Sequence, residues 1–182
     1  IATALSAGKY YFKTPHVVNV HLEGKIIPPA SAKDIILHIL KKSGVKGGVG
    51  KILEYTGPGS SSLSLTERAT ICNMGAELGA TTSIFETDHK TLEYLDFQGR
   101  SGDYLEIKAY PDAHYDEKIV INLNDIVPMI AKPHSPDNVE SISGVCGVKV
   151  NQVAIGSCTN SSYEDLTRAA SILRNKKISD HV

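Results

Sequence analysis

"HVVNVHLEG", residues 16–24, and "SAKDIILHILKKSG", residues 31–44, decide the fold class between them. In the first, Val18, Val20 and Leu22 alternate with Val17, Asn19 and His21, the two-residue period of a strand, and Gly24 ends the run. In the second, Ile35, Ile36, Ile39 and Leu40 fall on one helical face, with Ser31 as N-cap and Gly44 as C-terminal stop. A strand leading into an amphipathic helix opens an α/β layer arrangement.

The alternation continues outward from that pair. "GGVGKILEYTGPGSSS" (47–62) reads as a short strand between Gly-rich turns, and "SLTERATICNMGAELGATT" (64–82) as a second helix opened by the capping box Ser64-x-x-Glu67. "HKTLEYLDFQGR" (89–100) is a third helix, and "DYLEIKAY" (103–110) and "DEKIVINLNDI" (116–126) are strands, the latter with Ile119, Ile121 and Leu123 alternating. Residues 127–145 hold three prolines and little periodicity, which predicts a linker. "VKVNQVAI" (148–155) then predicts a strand, and "SSYEDLTRAASILRN" (161–175) a helix capped by Ser161-x-x-Glu164, with Leu166, Ala169, Ala170 and Leu173 inward. The fold class is α/β, with one nearly complete domain and the opening of another.

Bulk composition narrows the function classes. The chain's 182 residues carry 19 Lys and Arg against 20 Asp and Glu, so no basic footprint points to nucleic acid or an anionic membrane. Apolar runs such as "IILHIL" fall far short of the roughly 20 residues that cross a bilayer. Three cysteines, Cys72, Cys146 and Cys158, match neither a disulfide framework nor a zinc ribbon, which favours a reducing compartment. A soluble, cytoplasmic protein is expected, or one of the mitochondrial matrix if the source is eukaryotic. A start at Ile1 and an end just past a helix, at "KISDHV", suggest a piece of a longer protein.

Two places carry candidate chemistry. "NQVAIGSCTNSSYEDL" (151–166) puts Cys158 at a strand's C-terminal end and a helix's N-terminus, where free N–H groups and the helix dipole favour a thiolate. Such a thiolate serves as a nucleophile or as a metal ligand. A nucleophile wants a histidine base, and the histidines at 16, 21, 38, 89, 114, 134 and 181 include none that spacing ties to Cys158; a ligand wants more Cys or His nearby, and no C-x-x-C is present. A free cysteine that simply fills space is the competing reading.

The second place is the helix at 64–82, where Asn73 and Glu77 stand at i and i+4 with Gly75 and Gly79 beside them. Two glycines there suggest that something approaches the helix closely. From the residues alone, a polar pair on a solvated face is the simpler reading of Asn73 and Glu77, and Cys72 points away toward the core. "GGVG" and "GPGSSS" lack the Lys and spacing of a P-loop, and Asp112, His114 and Asp116 in "DAHYDE" read as a solvated turn.

"IGSCTNSSYEDL" and "ATICNMGAELGATTSIF", in that order, resemble the two internal motifs of the aconitase superfamily, the iron-sulfur hydro-lyases. "VKGGVGKILEYTGPG" and "YDEKIVINLNDIVPMIAKPHSPDNV" fit its connecting pattern, so the likeness covers essentially the whole chain. It implies a three-layer α/β/α fold of the aconitase iron-sulfur domain type. Residues 1–15 would end a preceding domain, 16–126 form the second, 127–145 link, and 146–182 open the third. Cys158 would be one of three thiolates holding a 4Fe-4S cluster whose remaining iron is open to substrate, a Lewis acid for the hydroxyl that leaves. Asn73 would lie against that cluster, and Glu77 would pair with an active-site histidine.

"GATTSIF" after "NMGAE" resembles aconitate hydratase more than isopropylmalate dehydratase or homoaconitase. The expected reaction is therefore the interconversion of citrate and isocitrate via cis-aconitate in the tricarboxylic acid cycle. An isopropylmalate- or homocitrate-type acid is the alternative, and a cluster-free RNA-binding module is an alternative of another class. The family's other two cluster cysteines, its Asp-Ser-His motif, its substrate-binding arginines and its serine base have no counterpart here, and neither Cys72 nor Cys146 fills the gap. The remaining domains of a parent chain are thus expected partners, and these 182 residues alone are expected to be inactive.

Overall fold

The computed structural model describes residues 2–179 and 182. After a short exposed helix α1 (Ala2–Ala7), strands and helices alternate: β1 (His16–Glu23), α2 (Ala32–Ser43), β2 (Lys51–Thr56), α3 (Leu65–Met74), β3 (Thr82–Phe85), α4 (His89–Phe97) and β4 (Glu117–Asn122). The four strands form one parallel sheet in the order β3-β2-β1-β4, with Val18 facing Leu53 on one side and Glu117 on the other. The α/β class is as the sequence predicts.

Alternation along the strands sets the core. Val18, Val20, Leu22, Leu53, Tyr55 and Ile121 point to one face and are buried against Ile35, Ile36, Ile39 and Leu40 of α2 and Ile71 and Met74 of α3. The other face is polar: the Asn19 amide donates to Thr56 Oγ1 at 2.9 Å, His21 Nδ1 lies 3.3 Å from the same oxygen, and the Tyr115 hydroxyl donates to Glu54 at 3.1 Å. Tyr55 stacks on Phe85 with centroids 4.6 Å apart, which ties β2 to the edge strand β3.

Both predicted caps of the first two core helices are present. Ser31 and Asp34 form a capping box at α2, Gly44 closes it with φ 70° and an N–H donated to Leu40, and Ser64 with Glu67 opens α3. Asp34 does more than cap, since its Oδ1 also accepts the Met129 N–H at 2.7 Å. That bond docks a small antiparallel hairpin, β5 (Met129–Ala131) with β6 (Val139–Ser141), onto α2. Residues 127–145 are thus a folded hairpin rather than an irregular connection, and Leu37, on the far side of α2, is buried as a result.

Other departures have local causes. The second helix is α-helical only to Met74 and tightens into a 3₁₀ turn over Gly75–Leu78, ended by Gly79 at φ 73°. The close approach expected at its glycines is real and comes from the fold: a Cβ on Gly75 would sit 2.3 Å from Ser83 Oγ, and one on Gly79 2.8 Å from a Val49 methyl. "DYLEIKAY" is not a strand; Ile107 and Ala109 donate their N–H groups to Thr87 Oγ1 and Glu86 Oε1 instead of to a ladder. "VKVNQVAI" is not a strand either, because no described strand lies beside it, and Val148, Val150, Val153 and Ile155 are exposed. Beyond it come a single turn, α5 (Ser157–Asn160), and α6 (Tyr163–Leu173).

Candidate functional site

Helix α6 begins one residue later than predicted. Its cap is Ser162 with Asp165, not Ser161 with Glu164, and Leu166, Ala170 and Leu173 are exposed rather than inward. Cys158 therefore sits inside α5, not at the mouth of α6. Ser157 before it adopts φ 65°, a left-handed conformation that costs a residue with a Cβ about 1–3 kcal/mol and turns the next side chain outward.

The turn places Cys158 against the C-terminal end of α3. The Ser157 hydroxyl lies 3.6 Å from Sγ, and it, followed by the nearby Asn73 side chain, holds the thiol below its ordinary range against a slight desolvation and the Glu77 carboxylate. Asn73, Glu77 and Cys158 are all exposed, at the surface where α5 packs against α3. The 3₁₀ tightening at Gly75 means that Asn73 and Glu77 do not share one α-helical face, although both act electrostatically on the Cys158 thiol. Glu77 also lines a cleft with Lys33, Met74, Met129 and Thr159, between α2, the hairpin and α5.

The other cysteines are unlike Cys158. Burial pushes the Cys72 thiol up to about 11; it lies half-buried beside Tyr55, at the margin of the core rather than within it. Cys146 is exposed and its sulfur faces the Ile142 carbonyl at 3.5 Å. Among the described residues no group of three Cys, His, Asp or Glu is placed to hold a metal ion, and no histidine acts on the Cys158 thiol; His181 lies outside the described residues. The donors present fit one leg of a metal cluster, a poised and accessible sulfur, and not a whole ligand set. His16 pairs with Asp116 at 3.1 Å on an exposed edge, in keeping with a solvated turn at 112–117.

A pH prediction follows from the two thiols. Because the Cys158 thiolate persists to lower pH than an ordinary cysteine and Cys72 ionises only near 11, iodoacetamide should label Cys158 first at neutral pH and leave Cys72 unmodified until the chain is unfolded. Peptide mass mapping of the alkylated chain reads the order directly. Equal labelling of both would contradict this geometry.

Ser157, Thr66 and Glu164 contribute to the site without having been singled out in the sequence. Glu164 accepts hydrogen bonds from Ser64 Oγ at 2.9 Å and Thr66 Oγ1 at 2.7 Å, across 100 and 98 residues. The nearest signal was the mistaken capping box, which gave Glu164 a local role.

Comparison with known proteins bears on the family. The sequence model of the aconitase family (aconitate hydratase) matches residues 1–147 and 144–182. A 3-isopropylmalate dehydratase large subunit of Archaeoglobus fulgidus is 42% identical over 182 residues, all of this chain and 44% of the relative. Another from Caldicellulosiruptor saccharolyticus is 44% identical over 179 residues, 98% of this chain and 42% of the relative. A 2,3-dimethylmalate dehydratase large subunit of Eubacterium barkeri is 40% identical over 179 residues, again 98% and 42%. The chain thus spans less than half the length of the curated relatives it matches. The names of these relatives do not support the expectation of citrate, isocitrate and the tricarboxylic acid cycle, and favour the isopropylmalate alternative. With the family's sequence model matching the chain from residue 1 to 182 and a 42% identical relative aligned over all of it, the chain belongs to the aconitase family.

Proposed function

We propose that this chain is part of the large subunit of a hydro-lyase acting on an alkyl-substituted malate, 3-isopropylmalate first, and that Cys158 is one thiolate ligand of its 4Fe-4S cluster. The observation that carries the reading is the meeting of Cys158 with Asn73 and Glu77 at the end of α3, in a chain whose relatives are named for 3-isopropylmalate and 2,3-dimethylmalate. Those two names share a hydroxyl between carboxylates and differ in the alkyl group.

When bound, such a cluster supplies Lewis acidity toward the substrate's hydroxyl and carboxylate. The chain's own residues have separate tasks. Cys158 binds as thiolate, made available by Ser157 and Asn73. Asn73, close enough to stabilise the thiolate, would orient that ligand. Glu77 is an exposed carboxylate at the same end of the helix, suited to orient an imidazole brought by another part of the protein and to keep it basic. Residues 1–15 then close a preceding domain and 146–182 open a further one. No described helix is long and apolar enough to cross a membrane.

The test is an anaerobic assay of the full-length gene product, reconstituted with iron and sulfide, on 3-isopropylmalate, 2,3-dimethylmalate and citrate. Dehydration is followed by the ultraviolet absorbance of the unsaturated acid. Preference for an alkylmalate is the expected result, and preference for citrate would overturn the substrate reading while leaving the cluster ligand in place.

A further inference from the structure

Helices α5 and α6 bury no side chain, so hydrophobic packing does not hold Cys158 against Asn73. Something polar must. Helix α6 lays its first turn across the start of α3, where the Glu164 carboxylate takes hydrogen bonds from Ser64 Oγ at 2.9 Å and Thr66 Oγ1 at 2.7 Å. Free N–H groups and the dipole at that helix end favour a negative charge, and bonds to a carboxylate are stronger than neutral ones. Arg168 adds a looser contact to Glu67 at 4.0 Å.

Asp165, not Glu164, occupies the capping position of α6: Ser162 Oγ and N–H both meet it, and its own N–H donates to Ser162 Oγ. Glu164 is thereby free for the cross-chain contact. On α3, Thr66 and Asn73 are seven residues apart, about 10 Å along the axis. On the other strand of chain, Cys158 and Glu164 are six residues apart, through one turn and a cap. The helix acts as a ruler, with a carboxylate clamp at its start and the sulfur near its end.

We propose that Glu164 is a positioning residue for Cys158: its clamp on Ser64 and Thr66 fixes the distance between the Cys158 sulfur and Asn73. This rests on the reading of Cys158 as a cluster ligand for its importance, though not for its geometry. Glu164 touches neither substrate nor cluster in this role.

The experiment uses the full-length protein without its cluster, every cysteine but Cys158 replaced by alanine, and Asn73→Cys added. Dibromobimane, which fluoresces strongly only when both its arms have reacted, reads the proximity of positions 73 and 158. The parent should cross-link readily. Glu164→Ala should slow the reaction about tenfold, the scale of one lost charge-assisted hydrogen bond, and Glu164→Gln, which still accepts from both hydroxyls, should restore most of it.

Thr66→Val removes the shorter bond at constant shape without touching α6 and should reproduce the loss, so a folding defect in Glu164→Ala does not decide the matter. Tyr163→Ala, on a side chain 87% exposed, controls for damage to α6 in general. Unchanged cross-linking in Thr66→Val, or slowing by Tyr163→Ala equal to that of Glu164→Ala, overturns the clamp. Absence of iron and sulfide from the wild-type protein would instead overturn the cluster reading, with the cross-linking result still standing.

Discussion

Cys158→Ser in the full-length protein is expected to remove dehydratase activity by more than about 100-fold, because even partners one step removed from a metal cost about 10–100-fold when lost. A serine hydroxyl keeps the shape but stays protonated, and neither Ser157 nor Asn73 stabilises an alkoxide as they do the thiolate. The neighbour should behave differently: Asn73→Ala leaves the sulfur in place, so the loss should fall within the 10–100-fold range and the iron content should drop only in part. Iron and acid-labile sulfide per chain, measured beside the rate, separate the two. A Cys158→Ser protein that keeps full iron content and turnover would end the assignment of this sulfur as a ligand.

How much of this was legible in the sequence depends on how local each signal is. Strand β1 and helix α2 follow from periods of 2 and 3.6 residues, and the residues singled out, Val18, Val20, Leu22, Ile35, Ile36, Ile39 and Leu40, are all in the core. The capping boxes at Ser31 and Ser64 were local as well. "VKVNQVAI" has the same alternation as β1 and forms no strand, since a strand exists only with a partner beside it. The hairpin of β5 and β6 was missed because what docks it is a bond from the Met129 N–H to Asp34, 95 residues away. Spacing could not bring Cys158 to Asn73 either; that expectation came from resemblance. The expectation of citrate leaned on "GATTSIF", which forms the left-handed cap at Gly79 and the strand β3, where Ser83 packs on Gly75 and Phe85 on Tyr55. Residues that report on packing of the sheet edge carry little information about a pocket.

Asp88→Ala is expected to destabilise the fold by about 3–5 kcal/mol, the cost of leaving a buried charge without its partner. The Arg68 side chain is 3% exposed, runs beneath the Phe85 ring at 5.8 Å, gives Nη1 to the Glu86 carbonyl at 3.4 Å and Nη2 to Asp88 Oδ2 at 2.5 Å. Its Nε has no partner among the described residues, so Asp88 is what makes burial of the guanidinium tolerable. Asp88 is also the N-cap of α4, accepting from the N–H groups of Lys90 and Thr91, a further loss of about 1 kcal/mol on truncation. The reverse change should be milder: Arg68→Met leaves a carboxylate that is partly solvated and still caps α4, with a side chain of similar length filling the space. Urea titration of the two variants should therefore rank Asp88→Ala well below Arg68→Met, and Asp88→Asn, which keeps a capping oxygen but not the charge, between them. Acid gives the same answer in the wild type. Partial burial works against ionisation of Asp88, but the hydrogen bond and charge of Arg68, with the two N–H groups, outweigh it and hold the carboxyl below its ordinary 3.8. A depressed carboxyl contributes stability that is complete above 3.8 and is lost as pH falls through the lower folded value, so the wild type should lose more stability on acidification through that window than Asp88→Asn does. Parallel acid profiles for the two proteins would mean that the pair contributes no charge-dependent stability, and that Arg68 is held by its contacts with Phe85 and Glu86 alone.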